Sequence, residues 1–170
     1  MFNSFQIANY FISAGQESGV EVTPMKLIKL CYIAHGWNLG FTGKPLLSET
    51  IYAWKYGPVI DTLYDAFKVY GSTPIKTLYS PNPFDNSIYP MPSDDIKPFL
   101  DSVWKAYGKY DGVQLSAMTH QKGTPWDKVW NGESGKEGRH IPIPNKYIEA
   151  HYKEKIEDIK QRQAGLLPTA

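Results

Sequence analysis

Cys31 is the lone cysteine of this 170-residue chain, and His35 follows it by four residues within TPMKLIKLCYIAHGW, Thr23 to Trp37. A thiol and an imidazole at that separation share a helix face, and such a pair can supply a thiolate nucleophile and its base. A catalytic thiol also needs exposure, an electropositive setting and N–H donors for an oxyanion. The residues around Cys31 offer the reverse. Leu27, Leu30, Cys31 and Ala34 make one apolar stripe, and Ile28, Tyr32 and His35 make an adjoining one. A mid-helix backbone has no spare N–H to give. The pair is therefore expected inside the core, as a small buried hydrophobe beside a hydrogen-bonded imidazole.

The other histidines, His120, His140 and His151, form no H-E-x-x-H and have no cysteine or carboxylate at ligand spacing, so no metal or other cofactor is expected. A mixed site assembled in space is left open by such reasoning. The chain has no G-x-x-x-x-G-K-[ST], no G-x-S-x-G and no paired-carboxylate signature. No catalytic residue is assigned and the chain is not expected to be an enzyme. The competing reading, a small nuclease or cysteine-dependent hydrolase, requires Cys31 or His120 to line an open cleft beside a second polar group.

Charge is nearly cancelled, with 18 Lys and Arg against 17 Asp and Glu. That argues against an extended phosphate-binding face. Lys146, Lys153, Lys160 and Arg162 could give the last helix a basic side, but Glu149, Glu154, Glu157 and Asp158 interrupt it, so direct nucleic-acid binding is not expected. One cysteine permits no internal disulfide and no zinc knuckle. The first 25 residues lack a basic region followed by an apolar run, and no stretch approaches the roughly 18 apolar residues of a membrane span. A cytoplasmic protein with no membrane partner is the simplest reading.

The elements that must hold these residues are mostly helical. SFQIANYFISAG places Phe5, Ala8, Phe11 and Ile12 at helical spacing, with Gly15 and Gly19 to end it. Thr23 and Pro24 are a cap and a first-turn proline for the Cys31 helix, which is expected to be central. SETIYAWKYGP reads as a short strand. Gly57-Pro58 then starts a helix that runs to Gly71. Five prolines between Ser72 and Pro92 pin a loop, with room for a short strand over Ile75 to Tyr79. Ser93 opens a helix whose first turn must hold Pro98. DGVQLSAMTHQ and TPWDKVW are two further short helices. The glycine-rich segment Asn131 to Arg139 reads as mobile. IPIPNKYIEAHYKEKIEDIKQRQ is the last helix, supported by Glu149–Lys153 and Asp158–Arg162 pairs, and AGLLPTA frays. The expected fold is mainly α: a compact single domain, residues 1–170, of about seven helices with one or two short β-strands, its core about 4–163 and its tail 164–170 flexible.

Three stretches look over-specified for packing alone, one of them the segment Asn131 to Arg139, which fits either a solvated loop or a segment that orders on binding. In AWKYGPVIDTLY, Trp54, Tyr56, Asp61 and Tyr64 follow one another around a sharp corner. They fit either aromatics tucked under that corner or an anchor presented to a partner. In LSAMTHQKGTPWDKVW, His120 ends a helix, where it can cap carbonyls or offer a donor to a partner. Trp126 and Trp130 share a face there and are expected to pack inward.

The helix from Leu27 to Trp37, the AWKYGPV corner at Ala53 to Val59, and LSAMTH…GTPW from Leu115 to Trp126 together resemble the Panacea domain, the family of phage-associated, SocA-like antitoxins. The likeness is ordered and spans about three quarters of the chain. It implies a cytoplasmic antitoxin of a two-gene toxin–antitoxin system that neutralises a cognate toxin by direct protein contact. It also implies, for the SocA-like case, an adaptor that delivers the toxin to a protease or chaperone. On that basis Trp54, Tyr56, Asp61, Tyr64, His120 and Trp126 are the candidate partner-binding residues.

Overall fold

The computed structural model describes every residue except 83, 85, 86, 133–139 and 166–170. The expected mobility of Asn131 to Arg139 and fraying of AGLLPTA therefore fall largely outside the described residues.

The long helix α2, Pro24–Thr42, is the beam around which the rest is built. Thr23 caps it by accepting from the Lys26 N–H, and Pro24 occupies its first turn, as the sequence suggests. Leu27, Leu30, Cys31 and Ala34 are all fully sealed. Around it pack α1, Ser4–Ser18, α3, Asp61–Phe67, α4, Lys97–Tyr107, α5, Gly112–Thr119, and α7, Asn145–Gln163. The sixth helix, α6, Pro125–Trp130, rests on α7 and on the small sheet. Among the described residues, seven α-helices and a three-stranded sheet make the fold mainly α, as expected.

Helix α1 is capped by Asn3 and ends at Gly19, whose φ is +67°. Gly15 does not stop it. It is a close-approach point, where a Cβ would sit 2.5 Å from Val22. In α4 a single 3₁₀ turn over Asp94–Ile96 precedes the helix proper, and Pro98 falls in its first turn, where no intrahelical N–H bond is lost. Along α7, Lys153 reaches Glu149 at 2.6 Å and Lys160 reaches Glu157 at 2.7 Å.

The corner departs from expectation. Tyr52–Trp54 (β1) and Gly57–Val59 (β2) form an antiparallel hairpin with Trp54 opposite Gly57, joined by Lys55 and Tyr56. Pro58 thus lies in a strand, and α3 begins at Asp61. The sheet order β2-β1-β3 leaves β2 at an edge, where proline's missing N–H need not break a ladder. The third strand, β3, Ile141–Pro142, pairs with β1 and takes the first residues of what reads as the last helix. Among the described residues, Ile75 to Tyr79 form no strand. Instead Asn9, fully buried in α1, clasps the proline loop: its amide donates to the carbonyls of Tyr79 and Tyr89 and accepts from the Tyr79 N–H at 2.7 Å.

Candidate partner-binding site

Cys31 is 0% exposed, and burial pushes its thiol well above its ordinary pKa, so it is held as the thiol. His35 is sealed as well. Its Nδ1 accepts the Leu47 N–H at 3.2 Å, which puts the proton on Nε2, and that N–H donates to Asn145 Oδ1 at 3.0 Å. Burial lowers its pKa, so the ring is neutral. The pair of residues with the best spacing for chemistry braces the core and faces no cleft.

The hairpin brings a different set together. Trp54, at the end of β1, meets the Tyr64 ring from α3 edge-on at 4.8 Å. The His140 imidazole, which precedes β3, approaches the rings of Tyr52 at 5.5 Å and Trp54 at 6.3 Å. His140 Nδ1–H donates to Asp61 Oδ2 at 2.8 Å. Two polar atoms are left over in this cluster. Asp61 Oδ1 and Trp54 Nε1 are buried without a hydrogen-bond partner. Desolvation raises the Asp61 carboxyl above its usual range despite the opposing pull of His140. Beside them, Tyr56 is 59% exposed at the tip of the hairpin, with the Lys55 ammonium over its ring at 5.3 Å. Tyr64 is also exposed.

The second group of candidates buttresses the first. Trp126 is buried and donates its indole N–H to the Trp54 carbonyl at 2.7 Å. It stacks on Trp130 at 5.6 Å, and the His120 ring packs edge-on against it at 5.3 Å. His120 Nδ1–H donates to the Ser116 carbonyl at 2.5 Å, so it caps the end of α5. Ser116 Oγ–H in turn donates to the Tyr56 carbonyl at 2.7 Å. Trp54, Asp61 and Tyr64 therefore meet in one cluster through His140 and ring contact, Tyr56 is exposed at the tip of the same hairpin, and His120 and Trp126 support the hairpin through its backbone.

His140 is the member that the sequence does not announce, since it lies 79 residues from Asp61 and only strand pairing by β3 unites them. A carboxylate-oriented imidazole is half of a nucleophile-activating arrangement. The sealed thiol of Cys31 cannot reach an exposed ring to complete it. No group of three or more His, Cys, Asp or Glu capable of holding a metal occurs among the described residues. Within them, no helix is long and apolar enough to cross a membrane.

The sequence profile of the family described as antitoxin SocA-like, Panacea domain, matches residues 27–127, a span that contains all but the first turn of α2, the hairpin, α3, α4, α5 and the start of α6. The chain is 28% identical over 151 residues to the antitoxin SocA of Caulobacter vibrioides, strain NA1000 / CB15N, an alignment that covers 86% of this chain and 80% of that protein. No solved structure matches. The matched span covers most of the candidate face and its supports, and the chain belongs to the SocA-like, Panacea-domain antitoxin family.

Proposed function

We propose that this protein is a single-domain antitoxin that neutralises a cognate toxin by direct contact, through the face made by the β1–β2 hairpin and α3. Membership of the SocA-like family supports the antitoxin role. The observation that carries the choice of face is the pair of unsatisfied buried atoms, Asp61 Oδ1 and Trp54 Nε1, in the cluster that the exposed Tyr64 ring joins, next to the hairpin tip that exposes Tyr56. A buried polar atom without a partner costs about 1–3 kcal/mol, and a partner that offers a cation to the carboxylate recovers that cost. Aromatic side chains beside a desolvated charge are the usual composition of an interface anchor. The encounter is expected in the cytoplasm. Delivery of the captured toxin to a protease or chaperone would appear as toxin turnover that depends on this chain.

The test is co-expression with the product of the adjacent gene, followed by a pull-down and a binding measurement. Tyr56→Ala and Asp61→Asn should fold normally and weaken binding by about tenfold or more. A neighbouring product that is harmless alone, or that still kills beside this protein, sinks the role. Two folded variants that neutralise as well as the parent sink the face.

A further inference from the structure

A cavity of about 180 Å³ opens between α2, α4, α5, the α5–α6 turn and α7, walled by Tyr32, Tyr107, Thr119, Gln121, His151 and Lys155 among others. Three observations set it apart. Tyr32 is 2% exposed, and its hydroxyl has no hydrogen-bond partner. Lys155 is half-buried, yet its ammonium lies over the Tyr152 ring at 5.2 Å and makes no ion pair with a carboxylate among the described residues. The lining holds no Asp or Glu, while His151, edge-on to the same ring at 5.4 Å, feels the charges of Lys155 and Lys128.

A buried phenol and a half-desolvated ammonium that line one cavity, neither paired with an acceptor among the described residues, form a site lacking its anion. We propose that this cavity binds a carboxylate, with the Tyr32 hydroxyl and the Lys155 ammonium as its donors and the Gln121 amide within the same wall. A carboxylate suits it better than a phosphate. The lining offers one ammonium and neutral donors, with no arginine fork among its residues, whereas a phosphate, with its charge concentrated on one group, calls for bidentate or multiple cationic contacts. The volume admits a group of a few heavy atoms, such as the end of a glutamate side chain or a short free acid. A carboxylate beside Lys155 would also favour its charged form, against the burial that lowers its pKa. This inference does not depend on the hairpin face.

The test is a titration of the full chain with sodium glutarate at pH 7 and constant ionic strength, following the His151 ring protons and the amides of residues 119–121 by NMR. A saturable shift at millimolar glutarate is expected, with little response to phosphate. Lys155→Met should abolish it. Tyr32→Phe should weaken it by about tenfold, because a hydrogen bond to a charged group is worth roughly 1.5–3 kcal/mol, while leaving the melting temperature of the free protein unchanged or higher. No saturable shift in the parent, or shifts in both variants equal to the parent's, overturns the proposal and leaves water as the occupant. Competition between glutarate and the bound toxin would identify the carboxylate as a partner side chain. Independent binding of the two would identify a free acid. The hairpin variants Tyr56→Ala and Asp61→Asn should not change the glutarate response, so the two proposals fail separately.

Discussion

Lys29 lies 2% exposed in the middle of α2, and its ammonium donates to the Pro58 carbonyl at 2.8 Å. A Cβ on Gly57, whose φ is +101°, would come within 2.9 Å of that nitrogen, so the hairpin closes directly over the charge. Burial brings the Lys29 pKa down to about 7 from its ordinary 10.5. Between those values the unfolded chain carries a proton there that the folded chain lacks, so stability rises with pH across the window, by at most about 1.4 kcal/mol per unit. Below about 7 both states are protonated and the slope vanishes. Lys29→Met keeps the volume and removes the titration. In urea unfolding, the stability advantage of this variant over the parent should be largest at pH 7 and shrink by 1 kcal/mol or more by pH 9. An advantage that stays constant over that range would contradict the assignment. Gly57→Ala should be poorly tolerated for two reasons at once, the positive φ and the ammonium beneath it.

At the scale of elements, the tightest joint is that of α2 with α7. Gly36 and Gly40, one turn apart, let the Tyr152 ring and Ile156 press on the α2 backbone. A Cβ at Gly36 would lie 2.1 Å from Tyr152 Cε2. Alanine in place of glycine favours a helix by about 1 kcal/mol, but displacing a fully buried tyrosine costs about 1–3 kcal/mol in overpacking and lost contact. Gly36→Ala is therefore expected to lower the urea midpoint, and a variant at least as stable as the parent would show that the joint has slack. Helix α2 was legible in the sequence because burial on nearly every side leaves an apolar imprint and because Thr23-Pro24 marks its start. The hairpin was not. Gly57-Pro58 also matches the opening of a helix, and what makes Pro58 acceptable in β2 is that strand's place at the sheet edge, a fact about the third dimension. The strand at Ile141–Pro142 was hidden for the same reason, since two residues carry no period and owe their form to β1.

Across the whole molecule, the family and the class of fold could be read from ordered motifs, while the assembly of the candidate face could not. Trp54, Tyr56, Asp61 and Tyr64 are near neighbours in the chain, so one stretch held them all. His120 and Trp126 belong to the same neighbourhood, but as buttresses whose hydrogen bonds end on Ser116 and on the Trp54 backbone. His140 had no local signal, because its meaning comes from Asp61. The clasp by Asn9 has a practical consequence. Tyr79 and Tyr89 are tied to that one amide and to each other, with the Tyr89 N–H on the Tyr79 carbonyl at 3.0 Å, and Tyr79 stacks on Phe5 at 3.7 Å. The chain between them is anchored at both feet before it departs, so extra length there adds little closure entropy. A fluorescent protein spliced between residues 81 and 88 should ride on the body without loosening it, giving a tagged protein that can be followed in living cells and whose melting behaviour matches the untagged parent.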